Sequence, residues 1–123
     1  MSKSKMKQAI AVAGTELRRE AEGGAKVFCL PADFPGFAGH FPGYPVLPAV
    51  LQVLTAQVLV EELRGRPLRL AKLERAKFLR PVRPGEPLRV ECRPRKGSWE
   101  ARLAVEGEPA AAFFMTLVEE DGG

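Results

Sequence analysis

The sequence predicts an α+β protein in which one long buried helix packs against an antiparallel sheet. Two observations carry this. The stretch from Ala49 to Val60 is almost uniformly apolar, interrupted only by Gln52, Thr55 and Gln57, and an amphipathic surface helix does not look like that. The C-terminal third then changes period. Leu88-Arg89-Val90-Glu91-Cys92 and Glu100-Ala101-Arg102-Leu103-Ala104-Val105-Glu106 alternate apolar with polar residues, and Ala112 to Val118 is a third strand-like run.

Taken in order, residues 1–8 read as a loose tail and residues 9–120 as one domain, with residues 9–22 open between strand and helix. Glu22-Gly23-Gly24 signals a turn. Ala25 to Leu30 reads as a short strand stopped by Pro31, and Pro31 to Gly43, rich in Pro, Gly and Phe, as a compact loop. Pro48 can open the helix, because the N–H it lacks is unpaired at that position anyway. Val50, Leu51, Leu54, Val58 and Leu59 recur with helical spacing, and Gly65-Arg66-Pro67 ends the helix near Leu63 or Arg64. In residues 68–80, Leu70, Leu73 and Ala76 or Lys77 fit a helix, yet a strand fits too. Lys96-Gly97-Ser98 and Glu106-Gly107-Glu108 mark turns between the last three strands. A helix apolar nearly all round needs more cover than one small sheet offers, and a second copy of the chain would supply it.

A chain of 123 residues suits one domain, and no apolar stretch approaches a membrane span. The apolar run after the basic N-terminus, Ala9 to Ala13, is too short for a signal peptide, so the expected setting is cytoplasmic. Cys29 and Cys92 sit in apolar, strand-like surroundings and read as two buried free thiols. With two cysteines and one histidine, no metal site is expected. The net charge of +4 comes with one Trp and one Tyr and no nucleic-acid module, which leaves an acidic protein partner or a solvated basic surface.

The only histidine, His40, stands in Gly39-His40-Phe41-Pro42-Gly43-Tyr44-Pro45-Val46-Leu47-Pro48-Ala49-Val50-Leu51, framed by glycines and prolines just before the buried helix. Downstream lies Lys77-Phe78-Leu79-Arg80-Pro81-Val82-Arg83-Pro84-Gly85-Glu86. In this order and spacing the two segments resemble the signature motifs of the hot-dog-fold 3-hydroxyacyl-[acyl carrier protein] dehydratases, and the resemblance covers roughly residues 25–118. It implies a long central helix wrapped by a curved antiparallel β-sheet, with residues 68–80 in a strand. It also implies a homodimer with two sites at the subunit interface. The implied chemistry is removal of water from a 3-hydroxyacyl thioester carried on phosphopantetheine. That arm belongs to the substrate, so no resident cofactor is expected.

By position, His40 takes the place of the catalytic base, a role that suits a group titrating near neutrality. The backbone N–H of Ala49 takes the place of the donor that polarises the thioester carbonyl. Gly43, Tyr44, Leu54 and Phe78 fall among the substrate-contacting positions. The resemblance places the acid fourteen residues after the histidine, and here that residue is Leu54, which cannot donate a proton. Gln57, on the same helical face, is the most plausible polar stand-in. Glu61 reads first as a solvated carboxylate at the helix end, Asp33 as a turn former, and Glu86 as the structural acid of its own motif.

Three functions remain open on this reading. One is a dehydratase-like protein of fatty acid or polyketide-type biosynthesis binding an acyl thioester at His40. Another is a non-catalytic or accessory subunit that binds acyl thioesters or takes its carboxylate from a homologue in a heterodimer. The last is an acyl thioesterase. The expected partners are acyl carrier protein or acyl-CoA, and neither nucleic acid nor membrane. Arg64, Arg66, Arg69, Lys72, Arg75, Lys77, Arg80 and Arg83 form either a rim that steers the acidic carrier or a solvated face. Packing of Phe34, Phe37, Phe41 and Phe78 against the helix would set the depth of the acyl tunnel.

Overall fold

Nine consecutive residues of one helix, Gln52 to Val60, are buried, and the molecule is arranged around them. The computed structural model describes residues 3–37 and 45–120. Its elements are α1 (Lys3–Val12), β1 (Arg18–Arg19), β2 (Gly24–Cys29), a single 3-10 turn (Pro35–Phe37), α2 (Ala49–Arg64), β3 (Leu68–Phe78), β4 (Pro87–Arg95), β5 (Ser98–Val105) and β6 (Glu108–Glu119). The helix α2 starts after Pro48 and ends where Gly65 takes up φ 69° and donates its N–H to the Glu61 carbonyl, a left-handed C-terminal cap that glycine adopts without strain.

The six strands form one antiparallel sheet in the order β1-β2-β4-β5-β6-β3. Both two-residue hairpins have positive φ at both central positions, Lys96-Gly97 and Glu106-Gly107, the turn geometry that matches the twist of paired strands. The sheet must curve. β2 and β3 are four strand spacings apart, about 19 Å if flat, yet α2 reaches both. Glu62 pairs with Lys26 of β2 at 2.5 Å, and Gln57 donates to the Leu68 carbonyl of β3 at 2.9 Å. A helix only about 10 Å across touches both because the sheet wraps around it. This is the expected hot-dog architecture, and residues 68–78 are strand.

Three sequence expectations change. Residues 3–8 are helix, not a loose tail: α1 lays Ile10, fully buried, and partly buried Met6 and Ala9 against the core. Part of the cover expected from a second copy therefore comes from α1. Next, the two thiols differ. Cys92 is buried beside Val90 and Leu88, and burial, with Glu91 nearby, pushes its thiol far up. Cys29 is exposed, because it opposes Pro87 on the other face of the sheet, and its Sγ lies 3.4 Å from the Gly85 carbonyl. Both are free. Finally, Glu61 is not a solvated carboxylate. Its Oε2 accepts from Lys7 Nζ and from the Leu68 N–H, both at 2.7 Å.

Among the described residues no helix is long and apolar enough to cross a membrane.

Candidate functional site

The candidate site lies at the first turn of α2, where the described end of the first motif, from Pro45 on, meets the second. Leu47 joins them: its N–H donates to the Val82 carbonyl at 2.8 Å, and its own carbonyl accepts from Gln52 Nε2 at 3.1 Å. Val82 is 1% exposed, so the second motif is a packed buttress for the first. Glu86 locks that buttress. Its carboxylate accepts from the Arg83 N–H and from Arg80, each at 2.7 Å. Burial pushes the Glu86 carboxyl up, but the Arg83 N–H and the Arg80 and Arg83 charges outweigh it and hold it below its ordinary value. The structural role expected of Glu86 is the one it has.

On the other side, Gly36 lies so close to the helix that an added Cβ would meet Leu51 Cδ1 at 2.4 Å and the Phe34 ring at 2.3 Å. Phe34 and Phe37 pack edge to face, centroids 5.8 Å apart, and both are buried. Phe37, packed on Phe34, and Leu47, bonded to Val82, flank the histidine segment in sequence. His40, Gly43 and Tyr44, with Phe41, lie outside the described residues.

The helix start is open. Pro48 provides no side-chain cap, and the first intrahelical donors are the N–H groups of Leu51 and Gln52, both to the Pro48 carbonyl at 3.0 Å. The Ala49 and Val50 N–H groups precede that ladder, as in any helix. Ala49 is exposed and Val50 is 72% exposed. One turn on, Leu54 is buried in the hydrophobic core at the position of the expected acid. Phe78 ends β3, 40% exposed and stacked on Phe113 with centroids 6.2 Å apart.

No carboxylate on the described residues takes over the Leu54 position. Glu61 is latched to Lys7 and Leu68, Glu86 is clasped by Arg80, and Asp33 is exposed in the turn closed by the Phe34 N–H to the Pro31 carbonyl at 2.9 Å. Two other polar side chains on the helix, Thr55 and Gln57, are also engaged. Thr55 Oγ1 donates to the Gln52 carbonyl at 2.6 Å, and the Gln57 amide, 2% exposed, is committed to Leu68. Sequence reasoning missed Gln52. Its Nε2 orients the approach to the helix, while its buried Oε1 has no partner among the described residues. A glutamine inside an apolar helical run was the available signal.

The chain matches the ApeI-like family, described as ApeI dehydratase, over residues 18–113. It is similar to the 3-hydroxyacyl-[acyl-carrier-protein] dehydratase FabZ of Granulibacter bethesdensis, 38% identical over 97 residues that cover 67% of this chain and 57% of that protein. It is 40% identical over 97 residues to the FabZ of Thermus thermophilus, covering 68% of each. The match thus spans little more than half of the Granulibacter relative. In backbone it resembles a chain of the dehydratase heterocomplex ApeI:P from Xenorhabdus doucetiae, with a TM-score of 0.77 at 22% identity over 86% of this chain and 96% of that one. An uncharacterised protein from Erwinia carotovora follows, with a TM-score of 0.68 at 23% identity, covering 86% of this chain and 92% of that one. On the strength of the match across residues 18–113, this hot-dog protein belongs to the ApeI-like dehydratase family.

Proposed function

We propose that this chain is the accessory half of a two-subunit hot-dog dehydratase. It binds an acyl thioester beside the histidine motif, and a homologous subunit supplies the acid. The observation that carries this reading is Leu54, a buried leucine where the proton donor belongs, with Glu61 and Glu86 committed to other partners and Asp33 exposed in its turn. Gln57 is not used as a stand-in, because its amide already holds Leu68.

Two features support a partner subunit. β3 is an eleven-residue strand at the edge of the sheet, exposed over most of its length, and an open edge of that size is normally covered. Leu73, Phe78 and Leu79 are 40%, 40% and 59% exposed along and just beyond it. The ApeI:P structure is described as a heterocomplex, and the same arrangement is the one inferred here.

In the assembled site His40 removes the C2 proton of the 3-hydroxyacyl thioester. The Ala49 N–H donates to the thioester oxygen as negative charge builds there, and the partner's carboxyl protonates the departing 3-hydroxyl. The acyl group arrives on acyl carrier protein or coenzyme A, in the cytoplasm, and phosphopantetheine stays part of the substrate.

The test is incubation with a 3-hydroxyacyl carrier protein, alone and with a homologue that carries Glu or Asp at the position of Leu54, followed by ultraviolet absorbance of the enoyl thioester. The expected result is no turnover alone, turnover together, and loss of the joint activity in His40→Ala. Turnover by the chain alone that survives His40→Ala would sink the assignment. Release of free thiol instead of enoyl product would identify a thioesterase. Gain of activity in Leu54→Glu alone would mark a homodimer complete but for the acid.

A further inference from the structure

β3 is both the long open edge of the sheet and strongly cationic. It is exposed without a break from Ala71 to Phe78, and its outward row of main-chain N–H and C=O groups is satisfied only by water or by another strand. Arg69, Lys72, Arg75 and Lys77 stand against Glu74 alone, which leaves the strand at +3. Glu74 is itself held by Lys72 at 3.5 Å. Arg75 lies over the Phe114 ring at 5.9 Å, and neither it nor Arg69 nor Lys77 has an ion-pair partner among the described residues. The cations just outside the strand differ. Arg66 is taken by Glu119, and Arg80 by Glu86 and Glu108. Charge is thus neutralised at both ends of the edge and left open along it.

An edge built only to repel needs no more than lysines and a bulge. β3 has the bulge as well. Its register with β6 shifts between Leu70 and Lys72 and between Glu74 and Lys77, where Arg75 takes φ 51°. Yet Leu73, Phe78 and Leu79 are exposed along and just beyond the same strand. An apolar set among unneutralised cations suits a surface that selects its partner and does not refuse every one.

Selection against a second copy follows from symmetry. Two copies of one strand pair across a two-fold axis, so one residue faces itself and each side presents the same charge to the other. Within the regular stretch Lys72–Glu74 the axis has three positions. On Lys72 it brings Lys72 against Lys72 and Arg69 toward Arg75. On Glu74 it brings two carboxylates together. On Leu73 it gains Lys72 against Glu74 but sets Arg69 toward Lys77. Like charges directly opposite are destabilising, and in every arrangement both sides carry +3.

We infer that β3 admits a homologous subunit with an acidic edge strand and rejects a second copy of this chain. The inference rests on the two-subunit reading above and identifies that partner by its charge. The edge is continuous with the candidate site. Phe78 ends the strand, and the Val82 carbonyl, four residues on, accepts from the Leu47 N–H just before α2. A subunit seated along β3 therefore stands next to the elements that carry the helix start.

The experiment is sedimentation velocity on the full chain, on a charge-reversed copy (Arg69→Glu/Lys72→Glu/Lys77→Glu) and on their equimolar mixture. It is run at about 0.1 M and about 1 M salt, where the screening length falls from about 10 Å to about 3 Å. The charge-reversed copy stands in for the acidic strand, and all three altered side chains are exposed. Wild type alone is expected to be monomeric at low salt and to associate as salt rises. The mixture should pair roughly tenfold more tightly than either copy alone at low salt and lose that advantage at high salt. Lys72→Gln/Lys77→Gln, which removes charge and adds none, should self-associate more readily than wild type, and it tests the same point if the reversed copy does not fold. A wild-type dimer at low salt that responds neither to salt nor to these substitutions overturns the inference. So does a mixture that pairs no better than its components. None of these readouts involves substrate. Failure of selective pairing, with joint turnover beside a homologue retained, overturns the charge selection and leaves the two-subunit reading intact. Selective pairing without joint turnover upholds the edge and overturns the dehydratase reading alone.

Discussion

The two ends of α2 are built on opposite terms. At the C-terminal end, side chains tie the helix to three other elements: Glu61 to Lys7 of α1, Glu62 to Lys26 of β2, and Gln57 and Glu61 to Leu68 of β3. Gly65 closes the backbone. At the N-terminal end there is no side-chain cap, and Ala49 and Val50 are exposed. One end fixes the helix in the fold, while the other presents backbone donors to whatever binds there. Removing contacts at the first end should therefore cost stability, and changes at the second should cost function.

The largest effect is expected from Glu61→Ala. It deletes a charge-assisted hydrogen bond to the Leu68 N–H and leaves the largely buried Lys7 ammonium without its nearest partner. A loss of about 2 kcal/mol follows, read as a lower urea midpoint with the denaturant slope unchanged. Glu62→Ala should cost less, about 1 kcal/mol, because Glu62 is 40% exposed and water screens the pair. Lys26→Met at the same contact should cost less still, since it removes the buried charge together with its need for a partner. A Glu62→Ala that is harmless would show that this end is not held as described.

The buttress under the open end gives a pH signature. Glu86 is depressed below its ordinary carboxylate value of 4.5. A depressed group contributes stability above its unfolded value and loses it as pH falls through the lower folded value. Wild type should therefore lose stability on acidification below about pH 4.5 more steeply than Glu86→Gln, with the two curves converging at the acid extreme. Parallel curves throughout would mean that the Arg80–Glu86–Arg83 clasp contributes nothing.

The same contrast explains what could be read from the sequence. The helix α2 was legible because burial on all sides leaves a long apolar run, and the hairpins because Lys96-Gly97 and Glu106-Gly107 demand positive φ. The strand β3 was ambiguous for a physical reason. It is an edge strand exposed on both faces, and its register shifts between Leu70 and Lys72 and again between Glu74 and Lys77, so no period-two pattern survives. The helix α1 was missed because its buried stripe is short and diluted by lysines. The arginines of β4 and β5 were visible as alternation, but only the cross-strand register puts them on one surface above Glu91 and Glu100. Glu61 looked solvated because its partners, Lys7 and Leu68, are brought to it by the fold and not by local spacing.

The smallest effect on stability is expected at the open end, and it is the most informative. Ala49 is the first helical residue, where proline is well tolerated because no intrahelical bond uses that N–H. The preceding residue, Pro48, already has φ −59° and ψ 151°, the extended conformation that a following proline requires. Ala49→Pro should therefore leave the unfolding midpoint nearly unchanged while removing the one hydrogen atom assigned to the thioester oxygen. Joint activity with the partner subunit should drop by about 100-fold, with acyl-thioester binding weakened much less. Ala49→Ser, which keeps the N–H, should retain most of that activity. Equal activity in Ala49→Pro and wild type would take the helix start out of the chemistry and return its exposed first turn to the subunit interface.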